Sequence, residues 1–299
     1  MSKHFYLTGE NLNVISKVLG PAMKSKDAAP IRKMAEKETE AGVDYIDLNI
    51  GPARKGGAEI MEWIVKTVQE VTDLPLFLDT SNVEAIEAGL KVYKPKKGKA
   101  IINSIMARPE RMAALIPLAA KYDAGMVALL WGPEGMPRDT DERAMFLSEL
   151  YMAATEAGVS PEDIWVDPII TPVNVQQEQL NHCLALYQAQ EDLAPGCKTT
   201  NGLSNCSNGA PDHLRPILNQ TFMMMLINFG VQGAIVDAFD QPLRDIARGK
   251  MPGLVDLVGK VMKDQPLDTA KLTKEELSYV KTAKVLLGKT LYSDSWLDL

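Results

Sequence analysis

Eight short runs rich in β-branched and aromatic residues recur along this chain, at 5–8, 45–50, 74–80, 99–105, 125–131, 164–170, 198–205 and 233–239. Their starts lie 25 to 40 residues apart, which leaves room each time for one helix and two loops. That alternation predicts a parallel sheet built of βα units. Eight such units close naturally into an α/β fold, the (β/α)8 TIM barrel. A doubly wound open sheet is the competing solution, but no G-x-G-x-x-G follows the first run. No composition shift marks a boundary within the 299 residues, a length that one barrel domain can fill. A single domain over 1–299 is therefore expected.

Helices are expected over 27–41, 58–72, 83–93, 109–122, 140–158, 174–190, 211–229 and 273–288. Ser81-Asn-Val-Glu84 reads as a capping box, Asp139-Thr-Asp-Glu142 precedes an apolar-periodic stretch, and Thr273-Lys-Glu-Glu276 opens a helix that Gly288 can terminate.

Lys+Arg 32 against Asp+Glu 39 gives a net charge of −7, a poor basis for nucleic-acid binding. The one basic run, Lys94-Pro-Lys-Lys-Gly-Lys99, reads as a solvated loop. No apolar run approaches the ~20 residues of a membrane helix, and the N-terminus has no secretory core. Cys183, Cys197 and Cys206 form no C-x-x-C pair, which disfavours a disulfide framework or an iron–sulfur cluster. A cytoplasmic protein without membrane contact is expected.

Catalytic groups of such barrels lie at the C-terminal ends of strands. Those ends read Thr8-Gly9-Glu10 followed by Asn13, then Asp47 and Asn49, Asp79, Asn103, Asp167-Pro168, Gly202-Leu-Ser-Asn205, and Asp237. Each has a bland reading: an Asp or Asn before a helix is often just its cap. Seven converging ends, nearly all carboxylate or carboxamide, suggest more. They make a pocket rich in acceptors and neutral donors, without a lysine cluster for phosphates. A flat ring with adjacent N–H groups and a carbonyl, a pterin or purine-like system, fits it.

His4, His182 and His213 are scattered, so a histidine-built metal site is not expected. A His-Cys-Cys zinc site would need His182 or another histidine brought into register with two cysteines. His182 and Cys206 are read as packing residues instead. Neither a G-x-S-x-G elbow nor a P-loop is present.

Tyr45-Ile-Asp-Leu-Asn-Ile-Gly-Pro52, Leu78-Asp-Thr-Ser-Asn82, Ile102-Asn-Ser104, Asp167-Pro168 and Gly202-Leu-Ser-Asn205 resemble, in order, the motifs of the pterin-binding methyltransferases. Within that family they look most like the methyltetrahydrofolate:corrinoid iron–sulfur protein methyltransferases. The likeness runs from Leu7 to Ser295 and takes in Glu84-Ala-Ile-Glu-Ala-Gly-Leu-Lys91, Ile235-Val-Asp-Ala238 and Thr290-Leu-Tyr-Ser-Asp-Ser295. It implies a homodimeric barrel with the pterin at its C-terminal mouth, gripped by Asp79, Asn103 and Asp167. Asp47, Asn49, Gly202, Ser204 and Asp237 complete that pocket. Asn205 matches the family Asn at pterin N5, the expected catalytic residue. Asn208 and Arg215 fall near further folate contacts, on a stretch slightly longer than the family pattern.

The resemblance further implies a substrate, tetrahydrofolate or 5-methyltetrahydrofolate, no metal, and a separate corrinoid protein as partner. The corrinoid-binding signature Asp-x-His-x-x-Gly is absent, and Asp212-His213 lacks its spacing. Two settings fit: methyl transfer from a methylated corrinoid protein to tetrahydrofolate in a demethylation system, or from methyltetrahydrofolate in acetyl-CoA synthesis. The first is favoured, because the 94–99 loop and the Trp131-Gly-Pro-Glu-Gly-Met136 loop depart from the second pattern and suggest another docking partner. Dihydropteroate synthases share the pterin pocket, but their basic stretch near strand 7 is replaced here by Gly202-Leu-Ser-Asn-Cys-Ser-Asn208. A non-catalytic folate carrier is the remaining alternative, and the retained Asn205 argues against it.

Overall fold

The structure, a computed structural model, describes residues 4–298. Its eight strands are β1 (Tyr6–Gly9), β2 (Tyr45–Asn49), β3 (Leu76–Asp79), β4 (Ile101–Met106), β5 (Gly125–Leu129), β6 (Ile164–Asp167), β7 (Lys198–Thr199) and β8 (Gly233–Val236). They pair in parallel in the order β7-β6-β5-β4-β3-β2-β1-β8. β7 has two residues, and it meets β8 through the isolated parallel bridge Gly202–Ile235. The Ile235 N–H donates to the Asn201 carbonyl at 2.7 Å, so the barrel closes on very few hydrogen bonds.

The helices are α1 (Leu19–Ser25), α2 (Ala28–Ala41), α3 (Gly57–Gln69), α4 (Val83–Val92), α5 (Pro109–Lys121), α6 (Thr140–Glu156), α7 (Gln177–Leu193), α8 (Arg215–Asn228), α9 (Gln241–Ala247), α10 (Pro252–Met262) and α11 (Lys274–Leu286). Asp139 caps α6 by accepting from Glu142 N, and at the expected start of α11 Thr273 and Glu276 form a capping box. On α4 the cap is Asn82, which accepts from Ala85 N at 3.1 Å, and not Ser81 as the sequence suggested. The helix expected at 174–190 starts and ends three residues later. Three helices were not expected: α1, α9 and α10. The first two are short segments with Gly or Pro in their first turn. α10 had a legible signal, Pro252 in the first turn followed by Leu254, Leu257, Val258 and Val261 on one face.

The N-terminal half of the barrel is plugged by side chains. Tyr6, Tyr45, Phe77, Ile101, Val127, Trp165 and Ile235 point inward, one from each of seven strands. The aromatic members meet edge to face around Trp165, with centroids 5.5 Å from Tyr45, 5.6 Å from Tyr6 and 6.0 Å from Phe77, the arrangement the ring quadrupoles favour. The outward faces of the strands join the helices in the main apolar core.

The 94–99 run leads into β4, at the barrel end opposite the mouth. It is a largely exposed loop, as expected, and two of its lysines make ion pairs. Lys96 pairs with Asp73 at 2.7 Å, and Lys99 pairs with both Asp123 and Asp163. This position removes it from any surface over the mouth. The Trp131–Met136 loop follows β5 and does lie at the mouth, pinned by the Arg108 Nε donating to the Gly132 carbonyl.

Candidate active site

Side chains alternate across a strand, so the residue two beyond each plug residue faces the interior one layer closer to the C-terminal end. Tyr45 leads to Asp47 and Asn49, Phe77 to Asp79, Ile101 to Asn103, Trp165 to Asp167, and Ile235 to Asp237. The strand register puts Asn49 beside Asp79 and Asp79 beside Asn103. A polar floor thus stands on an aromatic plug.

In that floor Asn103 Nδ2 donates to Asp47 Oδ1 at 3.0 Å, and Asn49 Nδ2 donates to Asp79. Asp47 and Asp79 also share a hydrogen bond, which one of them must donate as the acid. Burial pushes Asp47 well above the ordinary carboxyl range, and the Asp79 charge pushes it further. Burial raises Asp79 to about 6, opposed by the hydrogen bonds from Asp47 and Asn49. Two adjacent buried carboxylates cannot both ionise cheaply. The pair therefore holds one proton between them, and the Asn49 hydrogen bond orients Asp79.

Asp167 ends β6 in a tight turn. Its Oδ1 accepts from Ile169 N at 2.8 Å, and Ile169 has φ +69°. A β-branched residue in the left-handed region is an outlier that costs on the order of 1–3 kcal/mol, and such strain gathers at functional sites. Burial raises Asp167 to about 7, against the hydrogen bond from Ile169 and the charge of Arg143.

A cleft of about 710 Å³ opens beside this floor, over β1, β7 and β8. Glu10, Asn13, Ser204, Asn205, Asn208, Arg215 and Asp237 line it. Asp47, Asn49, Asp79, Asn103 and Asp167 do not. The structure therefore divides the expected site residues into a compact floor and an adjoining cleft. Gly202 lies at their junction, in the bridge that closes the barrel. Ser204 Oγ donates to Glu10 Oε1 at 2.6 Å, and Arg215 Nε donates to Ser207 Oγ at 3.3 Å. Asn205 is exposed to the cleft, in a 3-10 turn over Leu203–Ser207. Neither that turn nor α8 has a side-chain cap, so Asn205 caps neither.

Sequence reasoning placed Glu10 at a strand end without a role, and it missed Asn11 and Glu38. Asn11 ties three elements together. Its backbone N–H donates to Glu38 Oε1 at 2.9 Å, its Nδ2 donates to Asp237 Oδ1 at 2.9 Å, and its Oδ1 accepts from Ala238 N. Glu38 is fully buried on α2 against Gly9, where an added Cβ would stand 2.4 Å from Oε1. Its other oxygen has no partner. Burial pushes Glu38 up to about 8, the neighbouring Glu10 and Asp237 adding to it against the Asn11 hydrogen bond, and burial raises Glu10 as well.

A carboxyl whose folded pKa lies above its unfolded 4.5 binds its proton more tightly in the folded state. Its contribution to stability is full below about pH 4.5 and is lost as pH rises to about 8. Glu38→Gln is neutral throughout. Its melting temperature is expected to match the wild type near pH 5 and to exceed it at pH 8.5. The other raised carboxyls act in both proteins and cancel. Parallel melting-temperature profiles would refute a protonated Glu38.

Cys183, Cys197 and Cys206 are buried and free, and burial raises each thiol. His182 Nδ1 hydrogen-bonds Thr140 Oγ1 at 3.1 Å. Among the described residues no group of three or more His, Cys, Asp or Glu is placed to hold a metal ion. No helix among them is long and apolar enough to cross a membrane.

A barrel whose mouth carries this acidic floor and amide-lined cleft is a framework for a polar heterocycle. Residues 10–237 match the pterin binding enzymes, and the chain belongs to that family. Among similar proteins is the methylcorrinoid:tetrahydrofolate methyltransferase of Eubacterium limosum, 28% identical over 233 residues that cover 77% of this chain and 84% of that one. The methionine synthase of Mycobacterium leprae is 28% identical over 264 residues, covering 84% of this chain but 22% of the synthase. Similar solved structures include dihydropteroate synthases of Xanthomonas albilineans, with TM-score 0.62, 18% identity and 85% and 94% of the two chains covered, and of Thermus thermophilus, with TM-score 0.59, 20% identity and 84% and 94% covered. At such identities the likeness concerns the fold.

Proposed function

We propose that this protein is a methyltransferase that moves a methyl group between N5 of tetrahydrofolate and the cobalt of a corrinoid carried by a separate protein. The proposed direction is from the methylated corrinoid protein to tetrahydrofolate, in a demethylation system. The observation that carries the reading is the uncommitted Asn205 carboxamide in the cleft beside the acidic floor. The name and coverage of the Eubacterium limosum relative support the same chemistry and direction. Support for the opposite direction is the resemblance to the iron–sulfur-protein methyltransferases noted from the motifs.

In this reading Asp79 and Asp167 accept the N–H groups of the pterin's amino-pyrimidinone edge, through charge-assisted hydrogen bonds. Asn103 and Asn49 align the carboxyls around them. Asn205 faces N5, orients its lone pair and stabilises the ammonium that forms there. The partner's corrinoid supplies the cobalt that gives up or receives the methyl group. An amide does not titrate, so the N5 proton passes through water or a hydrogen-bonded carboxyl. Glu10, one residue from Asn205 through Ser204, is placed to serve that path.

Anaerobic assay with tetrahydrofolate and free methylcobalamin is expected to yield 5-methyltetrahydrofolate, faster still with the methylated partner protein. Tight tetrahydrofolate binding with no transfer in either direction would instead make the chain a folate carrier. Formation of a pteroate from 4-aminobenzoate and a pterin pyrophosphate would favour a synthase. Against that outcome, Arg215 is the one cation among the residues lining the cleft.

A further inference from the structure

Arg143, in the first turn of α6, is fully buried, although a guanidinium withdrawn from water is normally matched by a carboxylate. Its fork meets three neutral oxygens. Nε donates to the Pro168 carbonyl at 2.9 Å, Nη1 to the Asp139 carbonyl at 3.1 Å and Nη2 to Gln179 Oε1 at 2.9 Å. The carbonyl it grips belongs to the residue between Asp167 and Ile169, the centre of the turn with positive φ. Its charge bears on the buried Asp167, next to the residue it grips, as well as on Asp139 and Glu142 at the start of its own helix.

The other titratable groups facing this pair do not replace that charge. Cys183 and Tyr187 on α7 are buried, and burial raises both, so they stay neutral. Asp139 and Glu142 lie at the start of α6, and Glu142 is engaged by Arg138.

We infer that Arg143 is the positioning residue of the pterin floor: its grip on Pro168 holds the 167–169 turn, and its unpaired charge keeps Asp167 available as a carboxylate. The inference rests on the reading of Asp167 as a pterin ligand. Arg143 acts through Asp167 and does not itself touch the cleft or the floor.

The test is a carbon-13 titration of aspartate carboxyls in the folate-free protein, with Asp167 assigned by Asp167→Asn, alongside tetrahydrofolate affinity at pH 7 and pH 9. In the wild type Asp167 is expected to be ionised at pH 8. Arg143→Gln is expected to raise its midpoint by at least about one pH unit. With the midpoint starting near 7, that rise should also weaken affinity about fivefold or more at pH 7, with most of the loss regained at pH 9. Arg143→Lys keeps the charge and is expected to restore the midpoint while leaving affinity below wild type, because the fork is gone. A wild-type Asp167 still protonated at pH 8, or a folded Arg143→Gln with an unchanged midpoint, overturns the inference. Should Arg143→Gln fail to fold, an Arg143→Lys midpoint raised by more than about one pH unit overturns it as well. If wild-type protein fails to bind tetrahydrofolate, the proposed function falls, while the folate-free titration still decides the charge relation.

Discussion

Replacing Asn205 by alanine is expected to lower kcat at saturating tetrahydrofolate, with kcat/KM falling alongside it. An interaction that strengthens as N5 gains positive charge acts on the transition state more than on the bound substrate. The loss could reach ~10²-fold, the scale of removing one preorganised hydrogen-bonding group in other enzymes. The melting temperature should barely move. Asn205 caps no helix and its side chain faces the cleft, so the ~1 kcal/mol of a lost cap does not apply. Asn205→Asp should retain partial activity with a displaced pH optimum, since a carboxylate stabilises a protonated N5 but cannot donate to the free amine. Normal turnover in the alanine variant would leave methyl transfer without its proposed central residue.

The second large effect is on affinity. Asp79→Ala and Asp167→Ala each remove a charge-assisted hydrogen bond worth roughly 1.5–3 kcal/mol, about one to two decades in Kd. The two variants should differ in stability. Asp79→Ala removes one of two carboxyls crowded together, so Asp47 loses the charge that raises it, at the expense of the Asn49 hydrogen bond. It is expected to melt near the wild type. Asp167→Ala leaves Ile169 N without its acceptor inside a turn that already holds a positive φ, and it should melt lower. Calorimetric titration and thermal melts on both variants check the pair. Unchanged affinity in both, with the fold intact, would mean that the pterin lies elsewhere.

Much of this architecture follows from the order of residues alone. The eight apolar runs and their spacing determine a parallel sheet, because every gap holds a helix and parallel strands require crossovers. The period of two then determines which strand-end groups share the interior with the plug: Asp47, Asn49, Asp79, Asn103, Asp167 and Asp237 lie two or four residues beyond its members. Asp139 and the Thr273 capping box are equally local, since a cap involves residues within one helical turn.

Other features depend on distance in space rather than in sequence. Glu38 and Arg143 sit in helices whose charged residues otherwise face water, and nothing in the spacing separates a buried charge from a solvated one. Glu38 is buried because Gly9, 29 positions earlier, leaves the room its carboxyl fills. Arg143 is buried because the turn after β6 presents a carbonyl to α6. The short β7, the single bridge that closes the barrel, and the displacement of the cleft toward β1 and β8 arise in the same way. The sequence by itself determined the fold and the polar strand ends, because both follow from local periodicity. The tertiary structure decided which of those groups share a proton, which face the open cleft and which buried charges act on them, because burial and charge interact through space.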